Sequence, residues 1–189
     1  MPTKFIGCPR LVTSGESSRT QRVLMSDLSK GTAGLLLISD VAYFVYLCRT
    51  GQAITPKFVE FYVSILGVGT QAVEVGLFSS PLAPNKAAQV LTKLASDATV
   101  DSLTVGLGVK RNTSALTTSI AANTHLWAGI RTAMGTTNPT ITGLYNDFAQ
   151  GNILTTGTAG VLTGAGPWTG AIVAQALTEN CPDLRVTLD

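Results

Sequence analysis

Short runs in which apolar and polar residues alternate constrain the fold of this chain more than any other feature. In residues 57–66, Val59, Phe61 and Val63 fall on one face, and His125–Met134 alternates in the same way. A period of two places successive side chains on opposite faces of a β-strand. Turn residues separate these runs, and roughly eight to ten short strands in one chain are typical of an antiparallel sandwich or jelly roll. The sequence therefore predicts an all-β fold.

The remaining secondary structure is predicted from composition and spacing. Runs of apolar and β-branched residues predict further strands at 35–38, 41–48, 73–77, 102–108, 116–121, 171–177 and 184–188. The region around 67–72 joins two predicted strands either as a hairpin or as a crossing between sheets. Asn85–Ser96 has apolar residues at helical spacing and is predicted to form the single short helix. Residues 135–170, rich in Gly and Thr, are predicted to be long loops linking short strands.

Positive charge is concentrated in the first thirty residues. This segment holds five basic and two acidic residues, whereas residues 31–189 hold eight basic and nine acidic ones. It also lacks sustained periodicity, so we predict an extended N-terminal arm over residues 1–30 and one sandwich domain over 31–189. The arm is expected to dock on a partner through guanidinium contacts of Arg10, Arg19 and Arg22. A disordered terminus is the alternative.

Overall charge and hydropathy argue against two classes of partner. The formal net charge is only +2, whereas nucleic-acid binders carry a larger and clustered basic excess. The most apolar run, residues 33–48, is interrupted by Ser39 and Asp40 and is shorter than the roughly 20 residues of a membrane-spanning helix. We expect neither nucleic-acid binding nor membrane insertion.

Candidates for catalysis are few. A hydrolytic triad requires a histidine to move the proton, and His125 is the only histidine in the chain. The strand pattern around it favours a structural role. Glu60 and Glu74, on adjacent predicted strands, are the only carboxylate pair that suggests glycoside hydrolysis. We predict that the protein is not an enzyme, with glycoside hydrolysis as the least favoured alternative.

Motifs for metals and cofactors are equally weak. The chain has three widely spaced cysteines, Cys8, Cys48 and Cys181. This number and spacing predict buried free thiols rather than a disulfide framework or a metal site. Residues 67–72 match the GxGxxA form of a dinucleotide-binding loop, but the alternation that follows predicts a strand instead of the required helix. We therefore expect turn glycines, and neither a metal nor a cofactor.

The two tryptophans fall in the second half of the chain. Trp127 lies inside an alternating run and is predicted to pack in the core. Trp168, flanked by Gly and Pro, and Tyr145 lie in the loop-rich region, where aromatic rings can stack on sugars. These two residues are the candidates for glycan contact and support a carbohydrate-binding module as an alternative function.

Taken together, a basic polar arm, a Thr- and Gly-rich series of short strands and no catalytic set resemble small virion structural proteins of tailed bacteriophages. The stretches Ala72–Pro84 (AVEVGLFSSPLAP), His125–Met134 (HLWAGIRTAM) and Gly151–Thr169 look like parts of jelly-roll proteins encoded among phage head and tail genes. The resemblance covers residues 31–189. No heptad shaft or triple-β repeat of a long fibre is present.

This resemblance implies a function in the particle. Such proteins form oligomers, often trimers, attach to other virion proteins through an N-terminal arm and present the sandwich outward. Tail fibres, baseplate-associated proteins, head-associated fibres and capsid cement proteins share this plan, and fibres contact glycans of the host surface. We expect a trimeric fibre or baseplate protein of the virion, assembled in the host cytoplasm, with a capsid cement protein as the first alternative.

Overall fold

Antiparallel β-strands build the part of the chain that the computed structural model describes, namely residues 22–25, 32–37, 41–82, 89–144, 153–155, 171–176 and 181–188. The strands are β1 (Arg22–Met25), β2 (Thr32–Leu36), β3 (Ala42–Arg49), β4 (Pro56–Ile65), β5 (Gln71–Ser80), β6 (Gln89–Asp97), β7 (Gly108–Arg111), β8 (His125–Met134), β9 (Thr140–Leu144), β10 (Ile153–Thr155), β11 (Ala171–Ala176), β12 (Cys181–Pro182) and β13 (Arg185–Leu188). They form two sheets packed face to face. The predicted all-β antiparallel sandwich is confirmed, and the finer jelly-roll connectivity stays a prediction.

The first sheet is organised around β4. One edge of β4 pairs with β7, and the other edge pairs with β13 near its start and with β9 near its end. Beyond these neighbours, β1 pairs with β13, while β2 and β12 pair with β9. β4 is therefore held on both sides along its length.

The second sheet has the strand order β3-β8-β5-β6. Its longest ladder joins β5 and β8 over ten residues, from Gln71 opposite Met134 to Ser80 opposite His125, without a register shift. β10 pairs with β3, β11 pairs with β6, and β10 and β11 pair with each other. The six strands therefore form a closed sheet, whose two faces bury different sets of side chains.

The main core lies between the two sheets. It is formed by alternate residues of the strands: Val59, Phe61 and Val63 of β4, Val73, Val75 and Leu77 of β5, and Leu126, Ala128 and Ile130 of β8. All nine are buried. Burial of apolar surface at about 25 cal/mol per Å² is the main force that holds the two sheets together.

A second, aromatic core lies on the opposite face of the second sheet. Phe44, Phe78, Leu91 and Trp127 are buried there without any exposed surface. The rings of Phe44 and Phe78 meet edge to face, with centroids 4.9 Å apart and an interplanar angle of 84°. Gly129 lies between them, because a Cβ there would be 2.8 Å from an atom of each ring. The second sheet is thus buried on both faces.

Several predicted elements differ from the structure. The helix predicted over 85–96 is wrong, because residues 89–97 form β6, although 83–88 lie outside the described residues. Leu91 faces the aromatic core, and pairing with β5 and β11 outweighs a spacing that also suited a helix. Residues 135–170, predicted to be long loops linking short strands, contain the short strand β9, which is paired in the first sheet. The predicted strand at 116–121 is reduced to one isolated bridge, between Ile54 and Ile120.

Only part of the predicted arm can be located. Residues 22–25 form β1, in which the Cα of Arg22 lies opposite that of Leu188. The rest of residues 1–30, with Arg10 and Arg19, lies outside the described residues, so the docking arm stays a prediction. In the part of the chain that the structure covers, no helix has the length and apolar character needed to cross a membrane.

The contact around Gly129 gives a test of the aromatic core. We expect Gly129→Ala to lower the free energy of unfolding by about 1–3 kcal/mol, because the added methyl group overlaps two buried rings. The backbone of Gly129 lies outside the left-handed region, so the expected loss of stability comes from steric overlap and not from backbone strain. Gly51→Ala is the matched control, since its Cβ would have no neighbour within 4 Å. Denaturant unfolding measures both, and equal stabilities would contradict this packing.

Candidate functional site

Polar side chains occupy both ends of the face that carries the aromatic core. Along β8 this face carries His125, Trp127, Gly129 and Arg131 in succession, because residues two apart share a face. The tryptophan and the glycine belong to the aromatic core. The histidine and the arginine therefore mark its two polar ends, and each lies beside a cavity.

The cavity at the histidine end is an open cleft of about 510 Å³, which we call the His125 cleft. Its described lining comes from the end of β5, the start of β6, the start of β8 and the turn before β8: Ser79, Ser80, Pro81, Val90, Thr92, Asn123, Thr124 and His125. Four of these residues carry hydroxyl groups, one a carboxamide and one an imidazole. These described lining residues include no carboxylate, ammonium or guanidinium group.

Thr50 fixes the turn that forms one wall of the His125 cleft. The backbone N–H of Thr124 donates to the Thr50 hydroxyl at 2.8 Å, and that hydroxyl donates to the carbonyl of Ala121 at 2.8 Å. The N–H of Asn123 donates to the carbonyl of Thr50 at 2.7 Å. Asn123 has φ 64°, in the left-handed region that asparagine tolerates better than most residues. The wall is therefore preformed.

His125 is held by an aromatic neighbour. Its Nδ1 lies 3.1 Å from the Tyr46 hydroxyl, and the Tyr46 ring packs edge to face on Trp127 at 5.2 Å between centroids. Partial burial, followed by the positive charge of Arg49, lowers the pKa of His125 below 6.5. The imidazole is neutral at pH 7 and can both donate and accept a hydrogen bond.

Ser80 lies directly opposite His125 in the β5–β8 ladder, yet the two do not form a catalytic dyad. The Ser80 hydroxyl donates to the carbonyl of Leu82 at 2.7 Å and accepts the indole N–H of Trp127 at 2.9 Å. Its proton is thus committed to a backbone oxygen. No hydrogen bond joins the two described side chains, so His125 is not placed to activate Ser80 as a nucleophile.

At the other end, Glu74 and Arg131 form a buried ion pair. The Arg131 Nη2 donates to the Glu74 Oε2 at 3.0 Å, and the two residues lie opposite each other in the β5–β8 ladder. They are 2% and 4% exposed, respectively. A cavity of about 220 Å³ lies beside them. The pair restricts the register of β5 against β8, because a slip would leave two buried charges unmatched.

The sheet assignment separates the two carboxylates considered for hydrolysis. Glu60 lies on β4 of the first sheet, 3.7 Å from Arg111, whereas Glu74 lies on β5 of the second. Of the two connections considered, the crossing between sheets is the one found. Both side chains lie on faces opposite to the main core, so the sandwich separates them. They are therefore not a facing carboxylate pair.

The predictions for the turn glycines, the tryptophans and the cysteines are compared with the backbone angles and the burial of the described residues. Residues 67–70 form a turn with Gly69 at φ 98°, and β5 begins at Gln71, so the expected turn glycines and strand are confirmed. Trp127 and the free thiol of Cys48 are buried, as predicted. The side chain of Cys181, in β12, is not described, and Cys8, Tyr145 and Trp168 lie outside the described residues. The proposed glycan contact of Tyr145 and Trp168 therefore stays a prediction.

An exposed apolar surface lies at β7 and in the loop before it. We define the β7 surface as Tyr62, Val105, Leu107 and Val109, which are 46%, 68%, 62% and 62% exposed, respectively. Tyr62 and Val109 are opposite each other in the β4–β7 ladder. The Lys110 ammonium donates to the carbonyl of Val105 at 2.7 Å and so holds the loop against the strand.

The sequence analysis missed this surface. Alternation predicted a strand over 102–108, and only Gly108 of that range belongs to β7. A different signal was present: residues 102–109 read SLTVGLGV, in which glycines separate three apolar residues and no charge occurs. Such a segment at a sheet edge is a recognisable association site.

Neither the described side chains nor known proteins point to a metal or cofactor site in this chain. Among the residues that the structure describes, no three His, Cys, Asp or Glu side chains lie close enough together to hold a metal ion. No family model, curated protein or solved structure matches this chain. The His125 cleft and the β7 surface are therefore the candidate functional sites.

The buried ion pair gives a test by double substitution. We expect Arg131→Met to lower the free energy of unfolding by about 3–5 kcal/mol, because it leaves the Glu74 carboxylate buried without its partner. Glu74→Leu combined with Arg131→Met removes both charges and should cost less than Arg131→Met alone. Urea unfolding at pH 7 of four proteins, namely the parent, Arg131→Met, Glu74→Leu and the double variant, measures the difference. A double variant as unstable as the sum of the two single ones would contradict coupling between these side chains.

The single histidine gives a test of the cleft's electrostatics. We expect the NMR titration of His125 to have a midpoint below pH 6.5, and Arg49→Gln to raise that midpoint. Because the pKa of His125 is lower in the folded protein, the unfolded chain binds the proton more tightly. The contribution of His125 to the free energy of unfolding is therefore fully present above pH 6.5 and decreases as the pH falls below 6.5. A native midpoint at or above 6.5 would contradict the described surroundings of the ring.

Proposed function

We propose that the protein is a non-enzymatic structural protein of a bacteriophage virion, of the fibre or baseplate type. Its sandwich forms a homotrimer, and its N-terminal segment attaches it to other virion proteins. The observation that carries this proposal is the β7 surface, which supports association through the sandwich itself. The all-β sandwich is also the fold implied by the resemblance to phage structural proteins.

The composition of the β7 surface favours burial in an assembly. Val105, Leu107 and Val109 each expose more than half of their surface, and they follow one another along the chain at intervals of two. Removing apolar surface from water gains about 25 cal/mol per Å². Isolated exposed apolar residues are ordinary, but a group of them at a sheet edge is typical of interaction sites.

The backbone of β7 supports the same conclusion. The N–H and the carbonyl of Arg111 both bond to Asp101, on the side away from β4. Because the bonding direction alternates along an antiparallel strand, the N–H and carbonyl of Val109 also point away from β4. Natural edge strands are commonly protected by charges or bulges. Residues 102–109 carry no charge, and the two charges of β7, Lys110 and Arg111, follow them at its end. This edge therefore offers apolar side chains and, at Val109, backbone groups to another chain.

The chemistry of the described residues favours a binding or structural role over catalysis. The hydroxyl proton of Ser80 is committed to a backbone carbonyl, and each of Glu60 and Glu74 lies beside an arginine. The N-terminal segment joins the sandwich at β1, which pairs with β13. Residues 1–21 precede that strand, so a variant that lacks residues 2–21 keeps every described strand of the first sheet.

The proposal predicts the oligomeric state of the protein and of two variants. We expect a trimer by light scattering after size exclusion for the full chain and for a variant that lacks residues 2–21. Val105→Ser combined with Leu107→Ser should shift the trimer towards monomer, because the apolar contact is weakened. Leu82→Ser is the matched control, since Leu82 is equally exposed but lies outside the β7 surface.

Incorporation into particles tests the attachment role of the first residues. The variant lacking residues 2–21 should fold and form trimers but fail to enter virions, as should Arg10→Gln combined with Arg19→Gln to a lesser degree. A full chain that stays monomeric at high concentration would contradict the proposed trimer. If that monomer then binds assembled capsids, the capsid cement alternative gains the support instead.

A further inference from the structure

We infer that the His125 cleft is a binding site for an uncharged ligand rich in hydroxyl groups, such as one or two sugar rings of a neutral glycan. This goes beyond the proposed assembly function, since the cleft and the β7 surface share no residue. It also involves none of the aromatic residues that the sequence suggested for glycan contact. The inference depends on the cleft's size, its chemistry and its preformed wall.

The polar groups of the cleft are available for a ligand. The side-chain hydroxyls of Ser79 and Thr92 and the Asn123 carboxamide have no hydrogen-bond partner among the described residues, although the backbones of Ser79 and Thr92 are paired in the β5–β6 ladder. The Nε2 of His125 has no such partner either, since Tyr46 contacts Nδ1. Thr124 uses its hydroxyl proton on the carbonyl of Ala121 but keeps acceptor capacity. Hydroxyl, carboxamide and imidazole groups both donate and accept hydrogen bonds, as sugar hydroxyls do. This capacity at five neighbouring positions matches a polyhydroxylated ligand.

The chemistry of the described lining favours an uncharged ligand over a charged one. Among the described residues that line the cleft there is no cationic side chain for a phosphate, sulfate or carboxylate, and no carboxylate for an amine or a metal ion. His125 is neutral at pH 7 because burial and Arg49 disfavour its charged form. Arg49, whose charge acts on His125, lies outside the described lining, so a charged ligand would lose hydration in the cleft without a direct counter-charge from the described lining residues. An uncharged ligand loses less hydration free energy when it enters the cleft.

The size and rigidity of the cleft also suit a ligand of one or two sugar rings. At about 510 Å³ it lies within the range of small-molecule sites, yet its lining is mainly polar, whereas such sites are mostly apolar. Pro81 and Val90 provide the apolar surface against which the C–H groups of a sugar ring can pack. Thr50 holds the 121–124 turn before any ligand arrives, so little order has to be created on binding.

Two substitutions remove ligand contacts while preserving the local fold. Asn123→Gly deletes the carboxamide and suits the left-handed backbone of that position. Thr92→Val replaces a hydroxyl by a methyl group of similar size in β6. Thr117→Val is the control, because Thr117 is exposed, has no described hydrogen bond and lies outside the cleft.

The experiment applies the full-length protein and these variants to an array of neutral, sialylated and sulfated oligosaccharides, followed by titration of the best neutral binder by NMR. We expect binding to a neutral glycan, a loss of affinity of about tenfold or more in Asn123→Gly and Thr92→Val, consistent with one lost hydrogen bond each, and no change in Thr117→Val. Perturbed signals should include His125.

Several results would overturn the inference. These are an array without neutral binders, binding restricted to sialylated or sulfated glycans, or neutral binding that the cleft variants leave unchanged. A peptide that perturbs His125 while no glycan does so would also overturn it. The oligomeric state, measured separately, tests the proposed trimer. If the array shows that the His125 cleft binds no neutral glycan, the proposed trimer is still tested by its own measurement, and the reverse also holds.

Discussion

The ladder between β5 and β8 is the contact on which the rest of the structure depends. It is the longest unshifted pairing in the described residues, and each strand contributes one face to the main core and the other to the aromatic core. A shift by one residue would exchange these faces. The ion pair of Glu74 and Arg131 opposes such a shift at one end, and the fit of Gly129 beneath Phe44 and Phe78 opposes it near the centre.

The same ladder positions the two candidate surfaces differently. The His125 cleft lies at the end of the ladder, where Ser80 and His125 are partners, so its walls are attached to the most extensively paired strands. The β7 surface lies on the other sheet, at an edge where pairing is short. A preformed cleft suits recognition of a small ligand, whereas an open edge suits contact with a protein chain. The two functions we propose follow this division.

The sequence predicted the strands whose pattern is local and regular. β4 and β8 alternate cleanly, and their bounds were predicted within one residue. Residues 85–96 failed because apolar spacings of three to four suit a helix, and only the neighbouring strands β5 and β11 decide for β6. β9 lies in the region predicted to be long loops linking short strands, and its position was not predicted for a related reason. Thr and Gly carry little burial signal, and its place beside β2 and β4 depends on partners distant in the sequence.

The candidate sites were harder to predict than the fold. His125 was noticed as the only histidine, but its partners Tyr46 and Arg49 lie on β3, about eighty residues earlier. The role of Thr50 in shaping the turn at 121–124 has no local signature at all. The crossing from β4 to β5, which separates Glu60 from Glu74, is decided by sheet packing. Such features depend on which strands become neighbours, and alternation within one strand carries no information about that.

Burial of both faces of β8 also limits how the gene for this chain can vary. Most exchanges of one apolar side chain for another of similar volume keep each residue on its own side of the sheet. Insertion or loss of a single codon within β8 would instead send Trp127 towards the first sheet and Leu126 towards the rings of Phe44 and Phe78. Length variation should therefore be confined to the irregular segments, such as 50–55 and 112–124, while β5 and β8 keep a constant number of residues.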